Sequence, residues 1–104
     1  MFHFSNRFII FVVLHASILL GTVPGNQLIW EGVNSFYNYE TSYAIAILDS
    51  ARSKYPDNPL SHFTWVAAHM LHSEANYTTE HTYLVLQEKL DIIIPILKKL
   101  DRKY

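Results

Sequence analysis

The stretch that decides the fold reads GVNSFYNYETSYAIAILDSARSKYP and covers residues 32–56 of this 104-residue chain. It holds four marker residues at separations of twelve, seven and five: Gly32, Ala44, Ala51 and Pro56. Two antiparallel helices approach closely only where the facing side chains are small, so Gly32 and Ala44 are predicted to touch. Glycine inside a helix costs about 1 kcal/mol relative to alanine, which calls for such a packing reason. The stretch predicts a helix hairpin that ends at the proline.

The sequence around this hairpin predicts further helices, because apolar residues recur at helical spacing and do not alternate. The first predicted helix is capped by Asn26 and ends at Asn38, and the second covers residues 40–54. The third is capped by Asn58 and has Pro59 at its first position, and the fourth begins at Thr78 or Thr79. Pro95 is expected to kink or divide the fourth helix, because its ring removes a backbone hydrogen bond. The predicted fold class is therefore all-α, built from antiparallel helix hairpins.

The hairpin resembles a tetratricopeptide repeat over residues 28–58, and the resemblance includes the large apolar Leu48 four residues after Ala44. Leu28, Glu31 and Ser35 stand where that family prefers tryptophan, leucine and tyrosine, and the sequence from Pro59 onward does not follow the pattern a second time. The resemblance implies right-handed stacking of helix pairs, with an inner surface that binds peptides, as in a whole or truncated repeat protein. An ordinary four-helix bundle is the alternative architecture.

The third helix carries most of the candidate binding residues. Its predicted core face is apolar and consists of Leu60, Phe63, Ala67, Met70 and Leu71. The opposite arc carries three histidines and a tryptophan at i, i+3, i+7 and i+10, namely His62, Trp65, His69 and His72. Together with Tyr39, this arc is the predicted surface for a protein or peptide partner.

Two other interpretations of the histidine arc stay open. The histidines could lie in a seam between helices or face solvent. Alternatively, His69 and His72 could share a zinc ion with Glu74, Glu80 or His81, since zinc needs three or four protein ligands and the chain has no cysteine.

The N-terminus has the composition of an export signal. Residues 8–20 are apolar apart from His15 and Ser17, follow the single cation Arg7, and precede a Gly-Thr-Val-Pro-Gly turn. This run is shorter than the roughly 20 residues of a membrane-spanning helix. We therefore predict a signal peptide over 1–25 and a helical domain of about four helices over 26–104. The expected location is periplasmic or secreted, and the alternative is an uncleaved anchor formed by residues 8–23.

Charge and motifs argue against several classes of function. Eight Lys and Arg face nine Asp and Glu, so the net charge is −1, and it becomes −2 once Arg7 is removed with the signal. That balance does not attract nucleic acid. The sequence contains no nucleophile elbow, glycine-rich phosphate loop or His-Glu-x-x-His motif. We expect no enzymatic activity, cofactor or bound metal.

The expected function is therefore that of an exported helical module that binds a protein or peptide. The run Ile92-Ile93-Ile94-Pro95-Ile96-Leu97 surrounds its helix with apolar side chains, which also predicts self-association or assembly with a partner. A small histidine-dependent metal-binding protein and a membrane-tethered accessory subunit are the alternatives.

Overall fold

A computed structural model describes residues 23–103, which form four α-helices and no strand. The helices are α1 (Asn26–Tyr37), α2 (Thr41–Lys54), α3 (Pro59–Asn76) and α4 (Thr79–Lys103). The predicted all-α class is confirmed, and so is the position of each helix along the chain. Of the predicted signal or anchor segment, all but residues 23–25 lies outside the described residues.

The predicted N-terminal cap is confirmed for α3 but not for α1. Asn58 caps α3 as predicted, because its side-chain oxygen accepts a hydrogen bond from the Leu60 N–H at 3.1 Å. The predicted cap of α1 is wrong, since Asn26 is the first helical residue and Gly25 occupies the cap position. Gly25 has a φ of +91°, and a Cβ there would lie 2.6 Å from the Tyr55 ring. Both the backbone angle and the close approach require glycine.

Of the two outcomes predicted for Pro95, a kink or a division of the fourth helix, division is wrong, because α4 runs unbroken through this position. The proline removes the hydrogen bond to the carbonyl of Asp91. Both residues lie on the exposed side of α4, where water can satisfy that carbonyl. Ile93 is fully buried before Pro95, and Leu97 packs against the core after it, so the helix is held on both sides of this position.

Gly32 is buried, and the packing reason predicted for it is present. A Cβ at Gly32 would lie 2.5 Å from Cγ of Leu48, and the three nearest heavy atoms all belong to that side chain. The nearest atoms of the facing helix thus belong to Leu48, one turn after the predicted Ala44. Ala44 and Ala51 are both fully buried on α2, as expected of small contact positions.

The core draws on all four helices, and α3 is its centre. The buried apolar side chains are Ile29, Ala44, Leu48, Ala51, Trp65, Val66, Ala68 and Ile93. Each helix packs on the next along the chain, and α1 also packs on α3. Among the described helices, α4 makes no close backbone approach to α1 or α2. The fourth helix is thus held through α3 and leaves one flank of the α3–α4 pair open.

Candidate functional site

The orientation of α3 is the opposite of the predicted one. Leu60 and Phe63, predicted to be buried, are 50% and 52% exposed, whereas His62 and Trp65 are only 2% and 5% exposed. The predicted core face is therefore wrong. The physical reason is that α2 packs against the histidine arc and supplies partners for its polar atoms, namely Thr41, Asp49 and Arg52.

Trp65 lies at the junction of α2, α3 and α4. Its indole N–H donates a hydrogen bond to Oδ1 of Asp49 at 2.5 Å, so burial leaves no polar atom unpaired. The Arg52 guanidinium lies 3.8 Å from the ring centroid and the Lys89 ammonium 5.1 Å from it, both within the range of cation–π attraction. His69 contacts the ring edge-on, with centroids 4.9 Å apart. Trp65 is thus an internal contact of the three helices.

His62 connects α3 to the turn that precedes it. Its Nε2 lies 2.7 Å from the Pro56 carbonyl oxygen, which can only accept a hydrogen bond, so Nε2 carries the proton. Its Nδ1 accepts a hydrogen bond from Nε of Arg52 at 3.1 Å. Both ring nitrogens are therefore used inside the protein, and His62 is a neutral structural histidine.

His69 is half-buried beside these residues. Burial lowers its pKa, the nearby Lys89 ammonium lowers it further, and Asp49 acts in the opposite direction. His72 lies one turn further on, with Nδ1 2.8 Å from the Thr41 hydroxyl. Within residues 23–103, no three His, Asp or Glu side chains are placed to hold a metal ion together.

Tyr39 is the predicted partner-binding residue that lies fully at the surface. It is 91% exposed and has a φ of +63°, in the turn between α1 and α2. Tyr39 and His72 line the same open cavity of about 410 Å³, together with Tyr43 and Asn76. Two members of the predicted set thus share a surface, and this surface lies apart from the seam that contains His62 and Trp65.

Sequence reasoning missed an apolar groove on the open flank of α3 and α4. Two adjoining cavities of about 260 and 370 Å³ share Tyr83 and Leu86 as lining residues. The first cavity also reaches Met70, Glu74 and Tyr77, and the second reaches Leu90, Asp91 and Ile94. Phe63 and Ala67 lie on the same side of α3 as Met70, at helical spacing. We call this surface the α3–α4 groove.

The sequence did contain a signal for the groove. Tyr83, Leu86 and Leu90 follow one another at helical spacing, which indicates that they share one side of the fourth helix. In the structure Tyr83 is 68% exposed, and the two leucines are only partly buried. Helical periodicity identifies an apolar stripe but does not reveal whether another element covers it.

A cavity of about 500 Å³ lies near the start of the described residues. It is lined by Pro24, Tyr55, Pro56 and Pro59 among others. Beside it, the Asn58 amide nitrogen donates hydrogen bonds to the Pro24 carbonyl at 2.9 Å and to Oδ1 of Asn26 at 2.8 Å. These bonds join the start of α1 to the α2–α3 turn, which is a structural role.

Comparisons with protein-family models, with curated proteins and with solved structures find no match for this chain.

Proposed function

We propose that this protein is an exported, non-enzymatic helical-repeat module that binds a protein or peptide. The order of helix contacts supports the repeat architecture. In stacked helix pairs, the first helix of one pair packs on its own partner and on the first helix of the next pair. The packing of α1 on both α2 and α3 fits that arrangement. A closed four-helix bundle would instead bring α4 back against α1.

The α3–α4 groove is the observation that carries the binding proposal. Large apolar side chains are exposed along it, including Phe63, Tyr83 and Ile94. Full burial of one such side chain contributes about 1.5–3 kcal/mol, so covering several of them would stabilise a complex. In a stack of helix pairs, this flank is where the next helix would lie. A helix from a partner is the matching occupant.

The non-enzymatic part of the proposal is supported by how the titratable side chains are used. Both ring nitrogens of His62 take part in internal hydrogen bonds, and Nδ1 of His81 lies 2.8 Å from the Ser73 hydroxyl oxygen. Within residues 23–103, no buried side-chain nitrogen or oxygen lacks a hydrogen-bond partner. These hydrogen bonds support a packing role for His62 and His81.

Selection of helical peptides tests the binding proposal. A phage-displayed library of helical peptides is selected on the full chain, and the recovered peptides are titrated against variants by fluorescence anisotropy. Tyr83→Ala removes an exposed ring that lines both cavities and is expected to weaken binding at least about tenfold, which corresponds to about 1.4 kcal/mol. Trp30→Ala is the matched control, because Trp30 is 63% exposed on α1, outside the groove. Binding that Tyr83→Ala leaves unchanged would refute the proposed surface.

Export has its own test. Among the described helices, none is long and apolar enough to cross a membrane, so the proposal rests on the N-terminal sequence. Residues 1–25 fused to a reporter are expected to carry it across the membrane and to be removed. A reporter that stays in the cytosol would refute export, and an exported product of full length would favour the anchor.

A further inference from the structure

We infer that the partner is a cationic amphipathic helix, whose apolar face lies in the α3–α4 groove and whose Lys or Arg side chains contact the groove's acidic, tyrosine-bearing end. This inference rests on the proposed function and adds the chemistry of the partner. It is drawn from the charges around the groove, from its aromatic residues and from its length.

The charged side chains that line the groove are all acidic. Glu74 lines the cavity nearer the α3–α4 turn, and Asp91 lines the cavity further along α4. Glu80 is exposed in the first turn of α4. These carboxylates are complementary to a basic ligand.

The cations of the described region lie elsewhere. Arg52 and Lys89 are directed towards the Trp65 ring, on the other side of the α3–α4 contact. Along the groove side of α4, the first cation is Lys98, one turn beyond Ile94. The groove itself is therefore acidic, and basic charge begins only beyond Ile94.

The aromatic side chains at the acidic end suit the same ligand. Tyr77 and Tyr83 are 59% and 68% exposed, and both line the cavity that contains Glu74. The face of a tyrosine ring attracts a cation, and guanidinium groups also stack on it. Because one face of the Tyr77 ring stacks on His81, with centroids 4.4 Å apart, a Lys or Arg side chain placed here would meet the Glu74 carboxylate and the Tyr83 ring.

The length of the groove matches a short helix. From Tyr83 to Ile94 the α4 wall spans eleven residues, or about 16 Å at 1.5 Å per residue. Three turns of a partner helix cover that distance and present apolar anchors at i, i+3 or i+4, and i+7. Because Lys98 follows Ile94, we expect the basic end of the partner to lie beside Tyr77 and Tyr83.

Two designed peptides of about 15 residues test this inference. They share the same leucine face and carry either lysine or glutamate at the polar positions. Each is labelled and titrated against the full chain by anisotropy. At about 50 mM salt the lysine peptide is expected to bind at least about tenfold more tightly, and the difference should shrink at about 500 mM salt as screening increases.

Variants that remove carboxylates show which acidic side chains cause the preference for the lysine peptide. Glu74→Gln with Asp91→Asn should remove most of the preference for lysine. The control, Glu31→Gln with Glu88→Gln, changes the net charge equally at exposed positions outside the groove. Circular dichroism confirms that both double variants are folded. A lysine preference that survives Glu74→Gln with Asp91→Asn overturns the inference.

The other outcomes separate the inference from the proposed function. Equal binding of the two peptides overturns the inference and leaves the proposed function standing. If neither peptide binds and the library selection also fails, both are wrong. Sedimentation equilibrium that shows a dimer disrupted by Tyr83→Ala identifies a second copy of this chain as the occupant, and this result also overturns the inference.

Discussion

Replacing Gly32 by alanine sets two effects of known size against each other. Alanine is favoured over glycine inside a helix by about 1 kcal/mol, so an uncrowded site would be stabilised. Here the new methyl group would lie 2.5 Å from Cγ and 2.6 Å from Cδ2 of Leu48. The branched carbon cannot rotate away, because Leu48 is fully buried. Overpacking of this kind costs about 1–3 kcal/mol. We expect the clash to prevail, with a net loss of up to about 2 kcal/mol.

Chemical denaturation followed by circular dichroism measures this loss, and the melting temperature should fall by about 4–8 °C for each kcal/mol. The control is the same substitution in a Leu48→Ala background, where the clashing atoms are absent. There, Gly32→Ala should be neutral or stabilising, so the sign of its effect should reverse. If Gly32→Ala stabilises the unaltered chain, α1 and α2 are not in close contact at this point and the packing argument fails.

Three further predictions concern the core and its charges. Ala44→Leu should cost about 1–3 kcal/mol in thermal melts because the site is fully buried, whereas Ala46→Leu on the exposed face should change little. Arg52→Ala should lower the free energy of unfolding by about 1–3 kcal/mol, because it removes both the cation over Trp65 and the hydrogen-bond donor to the buried His62. The control Lys54→Ala, at an exposed position, should lower it by less than about 0.5 kcal/mol. Burial lowers the pKa of His69 in the folded chain below the ordinary histidine value of 6.5, so the unfolded chain binds more protons below pH 6.5. The contribution of His69 to stability is therefore fully present above pH 6.5 and should be lost as the pH falls below it. His69→Gln should make this decline shallower.

Local sequence signals predicted the helices well because each acts within one turn of the chain. Asn58 with Pro59 gives an unambiguous helix start, and Pro56 with Asp57 ends α2. Gly32 inside a helix correctly indicated a close approach. Its partner could not be predicted, since Leu48 and Ala44 lie one turn apart on the same face of α2.

The orientation of α3 could not be predicted, because both of its faces carry large side chains. Phe63 on one side and Trp65 on the other are each suited to a core. The choice depends on which side finds partners for its polar atoms. Asp49 and Arg52 provide those partners from α2, a different helix. For the same reason, the apolar stripe of Tyr83, Leu86 and Leu90 did not reveal from sequence that no other helix covers it.

The attachment of α4 through a single neighbour has a consequence for dynamics. A helix whose backbone approaches only one other helix is expected to open at a lower free energy than helices held by several neighbours, and opening of α4 would also uncover the core around Ile93. Its outer link, the ion pair between Lys103 and Asp57 at 3.2 Å, is exposed and contributes little. Amide hydrogens in α4 should therefore exchange with solvent faster than those of α2. Since α4 is one wall of the groove, occupation of the groove should slow that exchange and leave the exchange of α2 unchanged.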